Sequence, residues 1–267
     1  MSDAFLDKIV RSTRESVAVR KSTTDFASLE NDARVARSLR ETNSLYSALS
    51  KNDRTNIIAE FKRASPSKGV INDVADVAHQ VRNYEDQGAV AISVLTEEQY
   101  FKGSLEDLQA ARAAVRLPIL RKDFTVDEFQ IYEAAAAGAD AILLIVAILT
   151  SQELKDFSDI AKRLGMDSLV EVHTAAELEI AMECEAEIIG INNRNLKTFE
   201  VSLDVSRELI ALHQSGALMI SESGISSREE IEELRSLGFN GFLVGESLMR
   251  SDDIGAKIKS MFGTSAE

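Results

Sequence analysis

Glu60 and Lys62 stand one residue apart in the stretch Asn56–Gly69, which opens as an apolar run of strand length and closes in a turn holding Pro66 and Gly69. Side chains alternate faces along a strand, so the two point the same way. If Ile58 faces a core, an acid and a base lie side by side where a core belongs. That placement is costly unless the pair is hydrogen-bonded or solvated, so it marks either a structural ion pair at a strand end or a site. Three more ionisable residues, Lys122, Glu171 and Glu222, close other short apolar runs. Two lysines and three carboxylates in a partly desolvated setting perturb one another's proton affinities, which suits acid–base chemistry near neutral pH.

Short apolar runs recur along the chain from Asn56. They are Ile57–Lys62, Val90–Leu95, Ile119–Phe124, Ala141–Val146, Ser168–His173, Ile188–Asn192, Leu218–Ser223 and Gly241–Gly245. Helix-period segments lie between them: Val74–Gln87, Leu105–Arg116, Val126–Ala137, Gln152–Leu164, Ala175–Cys184, Leu203–Gln214 and Ser227–Leu237. Strands alternating with helices imply parallel pairing and right-handed crossovers. Eight even units favour an α/β fold of the closed (β/α)8 TIM-barrel type over a doubly wound sheet, and no Gly-x-Gly-x-x-Gly follows the first run. Residues 1–50 lack strand signals, and Phe5, Leu6, Ile9 and Val10 fall at helical spacing. They are read as an N-terminal helical extension packing on a barrel of residues 51–267. Gly88, Gly138 and Gly238 each fall where a helix gives way to the next strand, as a glycine just past a helix end would. Glu185 opens a fourth, degenerate copy. All four precede even-numbered strands, which suggests a repeat of two βα pairs.

The charges follow the opposite parity. Glu60 and Lys62 close the first strand, Lys122 the third, Glu171 the fifth and Glu222 the seventh, whereas the second, fourth and eighth end in Leu95, Val146 and Val244. Barrel interiors are layered, each layer drawing side chains from alternate strands, so these five groups converge at one end.

Composition narrows the partners. The chain carries 30 basic and 44 acidic residues, a net charge of −14, with no Trp. A nucleic-acid partner is not expected, and any anionic ligand must be held by local features. The lone Cys184 excludes an internal disulfide and a multi-cysteine zinc site, and it reads as a core residue. His79 and His213 read as helix-surface residues, His173 as support for Glu171; no spacing offers a metal site, and neither metal nor cofactor is expected. The longest uncharged apolar run, Ala141–Leu149, is too short to cross a membrane, and charges begin at Asp3, so a cytoplasmic chain without membrane partners is expected. It is expected as a monomer or a weak homodimer.

Two glycine-containing turns follow the last two strands, Ser221-Glu-Ser-Gly-Ile-Ser and Val244-Gly-Glu-Ser-Leu-Met. Each alone reads as ordinary turn chemistry with helix capping by Ser226. Paired in this order they favour a backbone phosphate site at Ser223, Gly224, Gly245 and Glu246. The Glu246 side chain counts against contact with phosphate, although its N–H can donate.

The chain resembles the indole-3-glycerol phosphate synthase family from the N-terminal extension to about Arg250. The resemblance is carried by Glu60-Phe-Lys-Arg-Ala-Ser-Pro-Ser, Ile92-Ser-Val-Leu-Thr-Glu, Tyr100-Phe-Lys-Gly-Ser, Leu120-Arg-Lys-Asp-Phe, Leu169-Val-Glu-Val-His, Gly190-Ile-Asn-Asn-Arg-Asn-Leu, Ser221-Glu-Ser-Gly-Ile and Val244-Gly-Glu-Ser-Leu-Met. It implies ring closure, decarboxylation and dehydration of 1-(2-carboxyphenylamino)-1-deoxyribulose 5-phosphate in tryptophan biosynthesis. The implied roles are Lys122 as general acid, Glu171 as general base or proton shuttle, and Glu60 as a helper in proton removal. Lys62 is implied either as a contact for the substrate's anionic groups or as the acid of the second step. Asn192 and Arg194 orient the substrate, Ser65 lies near its carboxylate, Glu222 completes the polar cluster, and Phe101 and Phe124 line an aromatic pocket. The resemblance also implies that residues 1–50 pack over the C-terminal mouth and order on substrate binding. A sister barrel such as phosphoribosylanthranilate isomerase would need a catalytic cysteine that Cys184 is badly placed to supply. A non-catalytic phosphate-binding barrel would be expected to have lost these charges.

Overall fold

The computed structural model describes residues 5–66, 68–251 and 253–262. Asp3 of the charged terminus and Ser67 of the motif after the first strand lie outside the described residues. The eight apolar runs form strands β1 (Ile57–Phe61), β2 (Ala91–Leu95), β3 (Ile119–Lys122), β4 (Ala141–Ile145), β5 (Asp167–Val172), β6 (Ile188–Asn192), β7 (Leu218–Glu222) and β8 (Gly241–Val244). All neighbours are parallel, and β1 pairs with both β2 and β8, closing the barrel. Most strands stop one or two residues short of their apolar runs because the last residues already turn. After β3, Asp123 accepts the Phe124 N–H at 2.8 Å and starts the bend.

Helices α4 (Val77–Asp86), α5 (Leu105–Ala114), α6 (Glu128–Ala136), α7 (Ser151–Arg163), α8 (Ala175–Glu183), α9 (Asp204–Ile210) and α10 (Arg228–Ser236) occupy the crossovers, followed by α11 (Glu246–Met249) and α12 (Ile254–Phe262). The sheet separates two cores. One lies between strands and helices, with Ile57, Ala59, Val94, Ile142, Val170 and Ile189. The other fills the barrel, with Ile58, Leu120, Leu143, Leu169, Ile220 and Leu243. This two-residue alternation places Glu60, Lys122, Glu171 and Glu222 on the interior face. At the apolar ends of β4 and β8, Ile145 and Leu243 are the interior residues, while Val146 and Val244 pack in the outer core.

Gly88, Gly138 and Gly238 adopt φ of 92°, 92° and 112°, and Glu185 takes the same left-handed role at 57°. In each case the residue that comes next donates back into the helix, as Ala186 N–H does to Ala181 at 3.1 Å. Gly165 does the same at φ 69° before β5, an odd strand. The motif therefore does not mark a repeat of two βα pairs. It is a helix stop, used after α4, α6, α7, α8 and α10. Ser227, not Ser226, caps α10, in a reciprocal capping box with Glu230. Cys184 is the residue that ends α8 and is half-buried, its thiol directed at the Ser151 carbonyl.

The N-terminal segment forms α1 (Phe5–Thr23), α2 (Phe26–Ser38) and α3 (Ser44–Leu49). Only α1 reaches the mouth, where Phe5 stands edge-on to Tyr100 and Phe199 with centroids 5.0 and 5.2 Å away. α2 runs along α6, with Phe26 edge-on to Tyr132 at 5.1 Å. α3 closes the opposite end: Leu45 and Leu49 are fully buried in the barrel core, and Asp167 accepts the Leu45 and Tyr46 N–H groups at 2.9 and 3.2 Å. The expectation that the extension lies over the mouth thus holds for its first helix alone. Hydrophobic periodicity says that a helix buries one face but not what covers it.

A buried polar knot fastens this wrap. The Asp140 carboxylate receives Arg37 at 2.8 Å, Arg40 at 2.7 Å and Arg112 at 2.8 Å, plus the Ile119 N–H at 3.0 Å. The Arg37 guanidinium also donates to the carbonyls of Ala139, Leu164, Gly165 and Glu41, so its donors are well used. Among the described residues no helix is long and apolar enough to cross a membrane.

Candidate active site

The carboxyl ends of the strands surround a cavity of about 680 Å³. Lys122 lies at its base, the ammonium 2.7 Å from Glu171 Oε2 and 3.2 Å from Glu222 Oε2. Glu60 accepts the Lys62 ammonium at 2.6 Å and sits close enough to add to the field on Lys122. The four odd strands therefore deliver their charges to one place. Bare backbone at two glycines makes room for two of these carboxylates. A Cβ on Gly190 would meet the Glu222 carboxylate, and one on Gly245 would meet Glu60.

Burial and neighbouring charge set the proton affinities. Burial works against the Lys122 ammonium, but Glu171, Glu222 and Glu60 outweigh it and hold the group above the usual lysine range. Burial also works against the Glu171 carboxylate, yet Lys122, His173 and a hydrogen bond from Asn192 hold it down at about 2. Glu222 goes the other way. Desolvation, with Glu171 and Glu60 adding like charge, pushes it up to about 7 against the pull of Lys122. Two neighbouring carboxylates are thus driven apart, one firmly ionised and one ready to hold a proton near neutrality.

Ligand-facing groups ring this centre. Ser65, Asn192, Arg194, Phe101, Phe124, Ser223, Gly224, Gly245 and Glu246 all line the cavity. The Ser65 hydroxyl and Glu222 Oε1 are buried with no hydrogen-bond partner among the described residues, which leaves both open to a ligand. Phe101 and Phe124 pack with centroids 6.2 Å apart. The loop carrying Phe101 is held by the buried Glu97 carboxylate, which accepts the N–H groups of Gln99, Tyr100 and Phe101 at 3.1, 2.7 and 3.0 Å. At the opposite rim Ser223 and Gly224 form a turn at φ 66° and 81°. Glu246 is drawn between Arg194 at 3.4 Å and Arg250 at 3.3 Å, and the Arg194 N–H donates to Asn192 at 3.0 Å.

Sequence reasoning missed several cavity residues. Phe5, Leu6 and Ile9 from α1 and Lys68 after the first strand line it, and so does Arg250. The helical spacing of Phe5, Leu6 and Ile9 was visible, but nothing in it named the mouth as their partner. Lys68 belongs to a loop drawn back by a two-residue antiparallel ladder, Ala64–Ser65 with Gly69–Val70, too short to leave a periodic signal. Of the three histidines, His79 lies on α4, His213 lies in the turn after α9, and only His173 approaches the charged centre, its Nε2 3.4 Å from Glu171 Oε1.

The family model for indole-3-glycerol phosphate synthase matches residues 6–261. The chain belongs to the indole-3-glycerol phosphate synthase family. It is 46 % identical over 263 residues to the indole-3-glycerol phosphate synthase of Laribacter hongkongensis, covering 98 % of this chain and 100 % of that protein. The synthase of Carboxydothermus hydrogenoformans is 47 % identical over 259 residues, covering 96 % and 98 %. Among solved structures, 3-hexulose-6-phosphate synthase from Salmonella typhimurium superposes with a TM-score of 0.63 at 12 % identity, covering 78 % of this chain and 96 % of that one. At that identity the likeness is one of fold. Members of the synthase family act on a phosphorylated small molecule, and a cavity with an unpartnered hydroxyl, two aromatic rings and a glycine turn suits such a ligand.

Proposed function

We propose that the chain closes, decarboxylates and dehydrates 1-(2-carboxyphenylamino)-1-deoxyribulose 5-phosphate to indole-3-glycerol phosphate by general acid–base catalysis, as a carboxy-lyase of tryptophan biosynthesis. The observation that carries this reading is the Lys122 ammonium held at the cavity base between two carboxylates of opposite proton affinity. Lys122 donates to the ketone oxygen as the ring carbon bearing the carboxylate attacks, and loss of CO2 restores the aromatic ring. Glu171 then takes the proton of the neighbouring carbon as the hydroxyl leaves as water. Glu60 assists proton removal, and Lys62, bonded to it, serves the anionic groups or supplies the second acid.

Arg194 and Ser65 receive the substrate carboxylate, the arginine by a forked ion pair. Asn192 orients the substrate, and Glu222 accepts from its hydroxyls. The phosphate rests on the backbone of Ser223, Gly224, Gly245 and Glu246. Phe101 and Phe124 flank the anthranilate ring. No metal or cofactor takes part. The chain works in the cytoplasm as a monomer or weak homodimer, apart from nucleic acid and membranes, with residues 1–50 as an extension packed on the barrel of residues 51–267.

The test is the fluorescence of indole-3-glycerol phosphate on mixing purified chain with the carboxyphenylamino substrate in the presence of a chelator. A signal that grows with enzyme is expected. Silence from folded chain that still binds sugar phosphates would point to a non-catalytic barrel.

A further inference from the structure

The proposed reaction is not proton-neutral, and the need for proton delivery exists only if that reading of the function holds. The ketone oxygen takes one proton at ring closure and another as it departs as water, whereas the neighbouring carbon gives one up. The substrate carboxylate leaves as CO2 without contributing any. Each turnover therefore draws one proton from solvent into the site. Lys122 and Glu171 are both buried at the base of the cavity, which bound substrate fills.

His173 offers a way in that bypasses the mouth. Its ring does not line the cavity, yet Nε2 lies 3.4 Å from Glu171 Oε1, not aligned for a hydrogen bond and without another partner among the described residues. On the other side Nδ1 lies 3.3 Å from Glu177 Oε2, and that oxygen also accepts the His173 backbone N–H at 2.7 Å. The Glu177 side chain is 20 % exposed, against 2 % for Glu171. A carboxylate in reach of water, an imidazole and the buried carboxylate on Lys122 thus stand in a row.

We propose that His173 and Glu177 form the route by which solvent protons reach Glu171 and, through it, Lys122. The imidazolium gives its Nε2 proton to the Glu171 carboxylate, which passes it to the Lys122 amine left by the donation to substrate. The neutral ring regains a proton from solvent through Glu177 and resets by turning about its Cβ–Cγ bond. One proton moves at each transfer, and no group ends with a changed charge. The groups facing the ring are Glu171 from β5, Glu177 from α8 and Glu222 from β7, with Lys122 behind the glutamates. Burial favours the neutral ring, but the Glu177 hydrogen bond and these three carboxylates overcome it and push His173 above its usual range, which keeps it loaded at neutral pH. His173 never touches substrate. It is a positioning and relay residue acting through Glu171.

The experiment compares wild type with His173→Gln and with Glu177→Gln, which keeps the hydrogen bonds to the His173 backbone and ring. At saturating substrate in dilute buffer both variants should turn over roughly tenfold more slowly or worse, with KM little changed. On rapid mixing, their first turnover should run at the wild-type rate from the preloaded Lys122, before a slow phase that added imidazole buffer accelerates. The wild type should show neither the lag between turnovers nor the buffer response. Steady-state rates close to wild type in both variants would overturn the route. So would a first turnover slowed as much as later ones with no response to buffer, the mark of a merely structural role. A wild-type chain that makes no indole-3-glycerol phosphate at all would remove the proposed function and the relay together.

Discussion

The Glu222 carboxylate rests against the bare backbone of Gly190, in the space that a Cβ there would fill. Gly190 pairs with Glu171 on one side and Ile220 on the other, so an added methyl could not be relieved by a backbone shift without moving a catalytic strand. Gly190→Ala should therefore push Glu222 off Lys122 and cost about 1–3 kcal/mol of stability, the usual range for overpacking. Activity should fall far more than stability. Thermal unfolding and steady-state turnover on the same preparation check both.

Lys122→Ala should lower kcat by roughly 10²–10⁴, the range of a lost general acid. It also leaves Glu171 and Glu222 facing each other without their shared cation, so Glu171 should no longer be held near its low value. Turnover with fluorescence detection gives the first effect, and circular dichroism shows whether the barrel is intact. A variant that turns over like wild type would falsify the assignment of Lys122 as acid.

Glu222 predicts a pH dependence with a definite sign. Its folded value is raised from 4.5 to about 7, so the protonated carboxyl is the form the fold prefers. The stability it contributes is full below 4.5 and is lost as pH rises through about 7. Asp167, raised by burial from 3.8 to about 6, adds a fall of the same direction in its own window. Melting temperature against pH should decline over this range in wild type, and Glu222→Gln should flatten the upper part of that decline. An unchanged slope in the variant would contradict the raised affinity.

Asp140→Ala should be among the most damaging changes outside the site. It strips the carboxylate from Arg37, Arg40 and Arg112 at once, the first of these nearly fully buried. Removing one side of a buried ion cluster typically costs about 3–5 kcal/mol. Urea unfolding measures the loss. Asp140→Asn, which keeps acceptor capacity on one oxygen, should fall between.

Phe5→Ala tests the cover over the mouth. The ring makes two edge contacts, with Tyr100 and Phe199, each of a kind worth about 0.5–1.5 kcal/mol. Their loss should raise KM several-fold through looser closure over the substrate, with little change in melting temperature. Kinetics at varied substrate separate this from a loss of kcat.

The barrel and the polarity of its interior were legible because a strand has a period of two and only one phase puts apolar residues inside. Once Ile58 and Leu120 face in, Glu60 and Lys122 must do the same. Arg121 and Asp123 flank Lys122 and face the outer layer, where Arg121 bonds Asp123 at 3.0 Å and Glu133 at 3.4 Å. Only the two-residue phase set by Leu120 distinguishes these charges from the one that turns inward. The placement of α1 was anticipated only through the family resemblance, and that of α2 and α3 not at all. Their partners, Tyr100, Asp140 and Asp167, lie far along the chain, and amphipathicity carries no address. Ser65 and Arg194 became meaningful only through family motifs, since a hydroxyl or an arginine after a strand is common.

The wrap of the first fifty residues has a consequence for the chain's synthesis. These helices are anchored to groups made much later: Arg37 waits for Asp140, and α3 waits for Asp167, 122 residues beyond Leu45. Until β5 has emerged, Leu45 and Leu49 have no barrel floor to seal, and three amphipathic helices must stay soluble beside a growing half-barrel. These helices thus wait through more than a hundred residues of synthesis before the groups that seat them exist.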